Sequence, residues 1–159
     1  STWNLLQDAG RPFAEAVAEL SERYPEHADN IAAYDQRWEE MITGTIEDTV
    51  AILHRLKANT TPLYAITNFS TEKFALMRER FDFFEAFAGI VVSGEVKLLK
   101  PDRAIYLRLL DDYQLDAADC VFIDDSPINV SGAENVGMHA IHFQSPEQLH
   151  QALSKQGLL

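Results

Sequence analysis

The sequence is short of cysteine, of basic residues and of long apolar runs, and each shortage excludes a class of protein. The one cysteine in 159 residues, Cys120, excludes an internal disulfide and is typical of the reducing cytoplasm, where we expect this protein. Lys and Arg number 13 against 25 Asp and Glu, so the formal charge is −12. That balance argues against nucleic acids and anionic membrane surfaces as partners. No apolar run approaches the roughly 20 residues that cross a bilayer.

Glycine-rich phosphate loops are also missing. Neither GxxxxGK[ST] nor GxGxxG occurs, which excludes two common nucleotide-binding classes. Apolar residues make up 47% and charged residues 24% of the chain, which is an ordinary globular composition.

The hydrophobic pattern changes along the chain and predicts an α/β fold. Apolar residues recur at helical spacing in the first third, including a predicted helix over about residues 27–41. Four short apolar runs then alternate with helical patterns, at residues 62–67, 89–92, 120–123 and 139–143. This alternation predicts a parallel, Rossmann-like sheet with helices on both faces. We expect a helical segment at 1–44 and an α/β segment at 45–159.

Polar side chains follow three of the predicted strands. Thr67 and Asn68 end the first, Lys100 comes after the second, and Asp124 and Asp125 follow the third. Ligands of open α/β sheets bind beyond the carboxyl ends of the strands. Adjacent carboxylates at a strand end require a cation, and oxygen ligands suit Mg²⁺. A hydroxyl, a lysine and a metal together describe a phosphate-binding site.

Each of these residues also has an ordinary interpretation. The acidic pair precedes Pro127 and could cap a helix, Thr67 could simply end a strand, and Lys100 and Asn129 could lie on the surface. Arg11, at a predicted helix start, could meet an anionic substrate, although a surface role is commoner for such an arginine. The convergence of three strand ends favours a site.

The order of these motifs resembles that of the haloacid dehalogenase superfamily. Ile66-Thr67-Asn68 is similar to its second motif, Leu99-Lys100-Pro101-Asp102 to its third, and Ile123-Asp124-Asp125-Ser126 to its fourth. Response-regulator receivers use similar residues, but there the acidic pair comes first in the chain. The resemblance covers about residues 45–159, and residues 1–44 look like part of the family's helical cap.

The resemblance implies a role for each matching position. Thr67 and the Asn68 backbone amide would bind the transferring phosphoryl oxygens, and Lys100 would stabilise their charge. Asp125 would ligate Mg²⁺ directly.

Two further residues would support that metal. Asp124 would bind the metal through water or would hold one of the metal's ligands in place, and Asn129 would support the metal site. The implied reaction is phosphoryl transfer through an aspartyl-phosphate intermediate.

The family's first motif, a strand that ends in Asp-x-Asp and supplies the nucleophile, has no counterpart before Thr67. Asp8 follows an irregular polar stretch and Asp48 lies in a predicted helix. Because the chain begins at Ser1, we expect an N-terminally truncated version of a longer protein, without its central strand. A swapped partner, a rearranged sheet and a homodimer are alternative ways to manage the resulting gap.

The sequence therefore predicts a Mg²⁺-dependent phosphatase of a small phosphorylated metabolite, inactive as this 159-residue chain. One alternative is a 2-haloacid dehalogenase, which acts on a halogenated acid with an aspartate nucleophile and no metal. The other is a non-catalytic remnant that binds phosphate or metal.

Overall fold

The structure is a computed structural model that describes residues 2–159, and it begins with helices. The α-helices before the first strand are α1 (Thr2–Asp8), α2 (Phe13–Arg23), α3 (Ala28–Gln36) and α4 (Glu47–Ala58). Short 3₁₀ turns flank α3 at Pro25–His27 and Trp38–Met41. The single helix predicted over residues 27–41 is therefore wrong in its last third, residues 37–41. Arg37 leaves helical geometry, and the Trp38 ring then packs edge-on against Phe69 at 5.6 Å.

From residue 64 onward, short strands alternate with helices. The strands are β1 (Tyr64–Thr67), β2 (Gly89–Val92), β3 (Val121–Asp124) and β4 (His139–His142). The helices between and after them are α5 (Thr71–Arg80), α6 (Ser93–Val96), α7 (Arg103–Tyr113), α8 (Pro127–Glu134) and α9 (Pro146–Lys155). Among residues 2–159, no helix combines the length and apolarity of a membrane span.

The strand pairing confirms the parallel α/β fold, but the strands form two sheets where one was predicted. β1 pairs with β2 in parallel, with Thr67 opposite Val92, and β3 pairs with β4, with Asp124 opposite His142. These are two separate two-stranded sheets rather than one continuous sheet. Within the described part of the chain, no strand lies between β1 and β3 to join them.

Two helical layers hold the two sheets together. On one face, α7 packs Ile105 and Tyr106 into a cluster with Ile66 of β1, and Phe122 of β3 packs against the same cluster. On the other face, α4 and α9 form a second cluster with Ile141 of β4. The helices therefore cover both faces while the strands stay apart.

Between these layers runs an apolar cavity of about 750 Å³, which we call the interstrand slot. Residues 64–66 of β1 form one wall and residues 121–123 of β3 form the other. Leu109 of α7 and Ile52 of α4 line it from the two helical layers. Val121, Phe122 and Ile123 are only partly buried because this slot adjoins them.

Candidate active site

An ion pair joins two of the residues that the sequence predicts at the site, a loop lysine and a strand-end aspartate. Lys100, in the loop after β2 and α6, directs its Nζ to Oδ2 of Asp124, the last residue of β3, at 2.6 Å. The side chains are only 11% and 6% exposed. The ammonium group also lies 5.6 Å from the centre of the Phe122 ring. The structure thus brings a cation and a carboxylate together at the carboxyl edge of the strands.

Asp124 is held in its ionised form by its neighbours. Burial alone would raise the pKa of this carboxyl, but hydrogen bonds from Lys100, the Ser126 amide and Asn129 bring the pKa below its ordinary value. The Ser126 N–H donates to Oδ1 at 2.9 Å and Asn129 Nδ2 donates to the same oxygen at 3.0 Å. The turn from β3 into α8 therefore supplies two donors to this carboxylate.

Asn68 fixes the loop that carries Lys100. Its amide Nδ2 donates to the Lys100 carbonyl at 2.9 Å, and its Oδ1 accepts the Lys100 N–H at 2.8 Å. This pair of hydrogen bonds ties the chain after β1 to the chain after β2. The Asn68 side chain consequently positions the Lys100 backbone. The Asn68 backbone lies in the turn that follows Thr67.

Thr67 is the last residue of β1, and its side chain is partly buried. The turn after it is secured by Ser93, which is fully buried at the end of β2. The Phe69 N–H donates to Ser93 Oγ at 2.8 Å, and this hydroxyl donates to the Asp8 carbonyl at 2.6 Å. Ser93 thereby connects the end of α1 to the Thr67 turn.

Asp125 differs from its neighbour in exposure. Its side chain is exposed, whereas Asp124 is 9% exposed, and its backbone carbonyl lies 3.0 Å from His142 Nε2. Within residues 2–159, no cluster of three or more His, Cys, Asp or Glu side chains could hold a metal. The side-chain oxygens close to the end of β3 include those of the two aspartates and of the Asn129 amide.

Tyr106 is a buried residue that the sequence did not mark as part of the site. Its hydroxyl donates to the Asn129 carbonyl at 2.8 Å. Burial, and to a smaller extent the Asp124 charge, raises the pKa of Tyr106 to about 12. The phenol therefore stays neutral and supports the first turn of α8. Its apolar position on α7 was readable from the sequence, but this hydrogen bond was not.

The structure does not bring Arg11 into contact with the Lys100–Asp124 pair. Its guanidinium forms an ion pair with Glu19 of α2 and donates to the Glu15 carbonyl. An anion-binding role for Arg11 stays a prediction.

An aromatic pair lies beside the Thr67 turn. Phe69 is two residues after Thr67, and its ring contacts Trp38 from the helical segment and Phe74 of α5, both edge-on. Phe69 and Trp38 are each partly exposed. An apolar surface therefore adjoins the charged part of the site.

Parallel strands with convergent polar strand ends fit the haloacid dehalogenase-like class of hydrolases. The model of the family "Haloacid dehalogenase-like hydrolase" matches residues 5–143, and the chain belongs to this family.

Two curated proteins are similar in sequence to parts of the chain. The chain is 29% identical to a drimenol cyclase from Aspergillus calidoustus over 88% of this chain and 27% of the cyclase. It is 33% identical to a sesquiterpene phosphatase from Aspergillus oryzae over 58% of this chain and 47% of that protein. It thus spans about a quarter to a half of these curated relatives.

A solved structure shares the fold. A haloacid dehalogenase family enzyme from Bacteroides thetaiotaomicron, in complex with magnesium and inorganic phosphate, aligns with a TM-score of 0.70 at 20% identity. The alignment covers 87% of this chain and 72% of that enzyme.

Proposed function

We propose that the polar residues at the carboxyl edge of the strands form the phosphate- and magnesium-binding part of a phosphatase that hydrolyses a small organic phosphate monoester. They are Thr67, Asn68, Lys100, Asp124, Asp125 and Asn129. The observation that carries the proposal is the Lys100–Asp124 ion pair at the carboxyl edge of the strands. A buried lysine held by a carboxylate on one side and by a fixed loop on the other is preorganised to receive an anion.

Lys100 and Thr67 would bind the phosphoryl oxygens. The lysine ammonium has three N–H donors, and the bond to Asp124 uses one of them. The other two remain for phosphate oxygens, and Asn68 keeps the loop in place while they bind. Thr67 supplies a hydroxyl, and the turn after it supplies the backbone amide of Asn68. Because phosphoryl transfer depends mainly on positioning and charge neutralisation, these donors would carry much of the catalysis.

The residues at this edge fit Mg²⁺ in their donor chemistry. Magnesium is usually held by one or two carboxylates and keeps several waters. Lys100 and the α8 turn already engage Asp124, so the exposed Asp125 would be the direct ligand. Asp124 would bind the metal through a water molecule, and Asn129 would hold the Asp124 carboxylate in place. When bound, the metal would neutralise charge on the phosphoryl oxygens.

We infer that the 159-residue chain binds phosphate but hydrolyses phosphate esters slowly or not at all. The nucleophile implied by the family is an aspartate that ends a strand, and no strand before β1 is found in residues 2–159. Asp8 ends α1 and Asp48 lies in α4, so neither has that position.

The alcohol part of the substrate would be apolar. The exposed parts of Trp38 and Phe69 adjoin the Thr67 turn and would contact a hydrocarbon group attached to the phosphate. Two relatives, the sesquiterpene phosphatase and the drimenol cyclase, have terpenoid names, which supports an apolar substrate class.

The dehalogenase alternative differs in its need for metal. The adjacent carboxylates of Asp124 and Asp125 favour the phosphatase, because two carboxylates at one strand end supply the oxygen ligands that Mg²⁺ prefers and a metal-free reaction does not need. Chloride release from 2-chloropropionate in EDTA would favour the dehalogenase instead.

A turnover assay on p-nitrophenyl phosphate distinguishes these functions. We expect Mg²⁺-dependent hydrolysis that is weak or undetectable, with any activity lost in EDTA and in Asp125→Ala. The control variant Asp111→Ala changes an exposed acid of α7 and should behave as the parent. Rapid turnover that Asp125→Ala abolishes would show that another carboxylate acts as the nucleophile and would contradict the weak activity we expect. If neither substrate reacts and phosphate does not bind, the proposal is wrong.

A further inference from the structure

The peptide unit that joins Asp125 to Ser126 is held at both of its polar ends. Its carbonyl oxygen, on Asp125, lies 3.0 Å from Nε2 of His142, the last residue of β4. Its N–H, on Ser126, donates to Oδ1 of Asp124 at 2.9 Å. Because a carbonyl oxygen only accepts hydrogen bonds, the imidazole of His142 carries the proton on Nε2. The plane of this peptide unit is therefore fixed from two directions.

The carbonyls on either side of this unit are held by the backbone alone. The Asp124 carbonyl accepts the Phe143 N–H at 2.9 Å, and the Ser126 carbonyl accepts two N–H groups of the first turn of α8 at 3.0 and 3.1 Å. The Asp125 carbonyl lies between the end of the strand ladder and the start of the helix. There a side chain, that of His142, takes the place of a backbone donor.

We propose that His142 is a positioning residue for Asp125, whose carboxylate it directs toward the metal through the Asp125 carbonyl. The parallel register of β3 and β4 sets His142 opposite Asp124, one residue before the carbonyl that it binds. The Asp125 side chain is exposed, so its direction follows from its backbone rather than from packing. The inference rests on the proposed function, in which Asp125 is the direct ligand of Mg²⁺.

The same hydrogen bond also supports the second carboxylate of the site. A peptide carbonyl that accepts a hydrogen bond polarises its peptide unit, which strengthens donation by the N–H at the other end. Here that N–H belongs to Ser126, and its hydrogen bond is one of those that lower the pKa of Asp124. His142 thus acts on both aspartates through one peptide unit.

A titration of the whole 159-residue chain with Mg²⁺ alone tests the inference, followed by the chemical shifts of the Asp125 and Ser126 amides. His142→Phe keeps a ring without a donor, and His142→Val keeps a strand-forming residue without one. Both should weaken Mg²⁺ binding about tenfold, the lower end of the range for groups that orient a metal ligand. His142→Gln retains an N–H donor and should bind Mg²⁺ within about twofold of the parent protein.

Matched controls separate positioning from a general loss of structure. His139→Phe changes the exposed histidine at the other end of β4 and should leave Mg²⁺ affinity unchanged. In an Asp125→Ala background the ligand is already absent, so His142→Phe should weaken Mg²⁺ binding no further. Without metal, amide exchange at Ser126 should be faster in His142→Phe than in His142→Gln, with the Phe143 amide of the strand ladder as the reference. Circular dichroism reports whether each variant is folded.

Three results would overturn the inference. They are parent-like Mg²⁺ affinity in the folded Phe and Val variants, equal weakening in His142→Phe and His142→Gln, and an undiminished effect of His142→Phe in the Asp125→Ala background. Failure of the proposed function is distinguishable from these results. If Asp125→Ala alone leaves Mg²⁺ affinity unchanged, Asp125 is not the ligand and the inference falls with that assignment. If Asp125→Ala weakens binding and the His142 variants do not, only the inference is wrong.

Discussion

Replacing Lys100 with Met removes the cation from a buried carboxylate and should destabilise the fold strongly. The Asp124 side chain is 6% exposed, and breaking a buried ion pair from one side costs about 3–5 kcal/mol. The donors from Ser126 and Asn129 remain, so we expect the low end of that range, about 3 kcal/mol. Urea unfolding followed by circular dichroism at pH 7 measures the loss. The exposed Lys155→Met is the matched control, with an expected change below about 0.5 kcal/mol.

The pH dependence of the stability lost in Lys100→Met shows whether the loss comes from the ion pair or from side-chain packing. In the parent protein the lowered pKa of Asp124 contributes stability above the ordinary Asp pKa, and this contribution is lost as the pH falls through the folded value. Without Lys100, burial dominates and the pKa of Asp124 should rise. As the pH falls, the carboxyl of the variant therefore becomes protonated at a higher pH than that of the parent protein. The difference between parent and Lys100→Met should therefore narrow from pH 7 toward pH 4. A difference that stays constant over this range would refute the ion-pair explanation.

Three further variants probe other parts of the structure. Burial raises the pKa of Asp8 at the end of α1, so Asp8→Asn should increase the free energy of unfolding at pH 7 by roughly 0.5 kcal/mol, with the gain shrinking in acid. An added Cβ at Gly132 would lie 2.8 Å from the Tyr106 hydroxyl oxygen, so Gly132→Ala should cost about 1–3 kcal/mol, visible as a lower Tm. Lys73 is buried and bonds the Asp35 carboxylate at 2.5 Å, so Lys73→Met should speed amide exchange in α3, while unchanged exchange would show that the pair does not hold that helix.

The strand ends were predictable because they depend on local signals. Short β-rich runs followed by Thr67, by the Lys100 loop and by Asp124 indicate parallel strands, and parallel strands bring their carboxyl ends to one edge. Ser70 caps α5 in the structure, where its hydroxyl accepts the Lys73 N–H.

The contacts within the site depend on tertiary placement and could not be predicted. The local sequence does not indicate which member of the acidic pair contacts Lys100. In the structure it is Asp124, to which the turn into α8 directs two further hydrogen-bond donors. The two hydrogen bonds from Asn68 to the Lys100 backbone join residues 32 positions apart. The lack of a first motif before Thr67 predicted a gap in the sheet, but the pattern of a strand does not identify its neighbour, so the sequence left open how the strands pair around that gap.

Binding of inorganic phosphate tests the central claim most directly. Phosphorus-31 NMR titration of the 159-residue chain with Mg²⁺ present should show saturable binding that Lys100→Met abolishes. Asp125→Ala should remove the Mg²⁺ dependence, and Lys155→Met should leave both unchanged. Phosphate that binds Lys100→Met as tightly as it binds the parent protein, with both proteins folded, would contradict the assignment of this edge as the phosphate site.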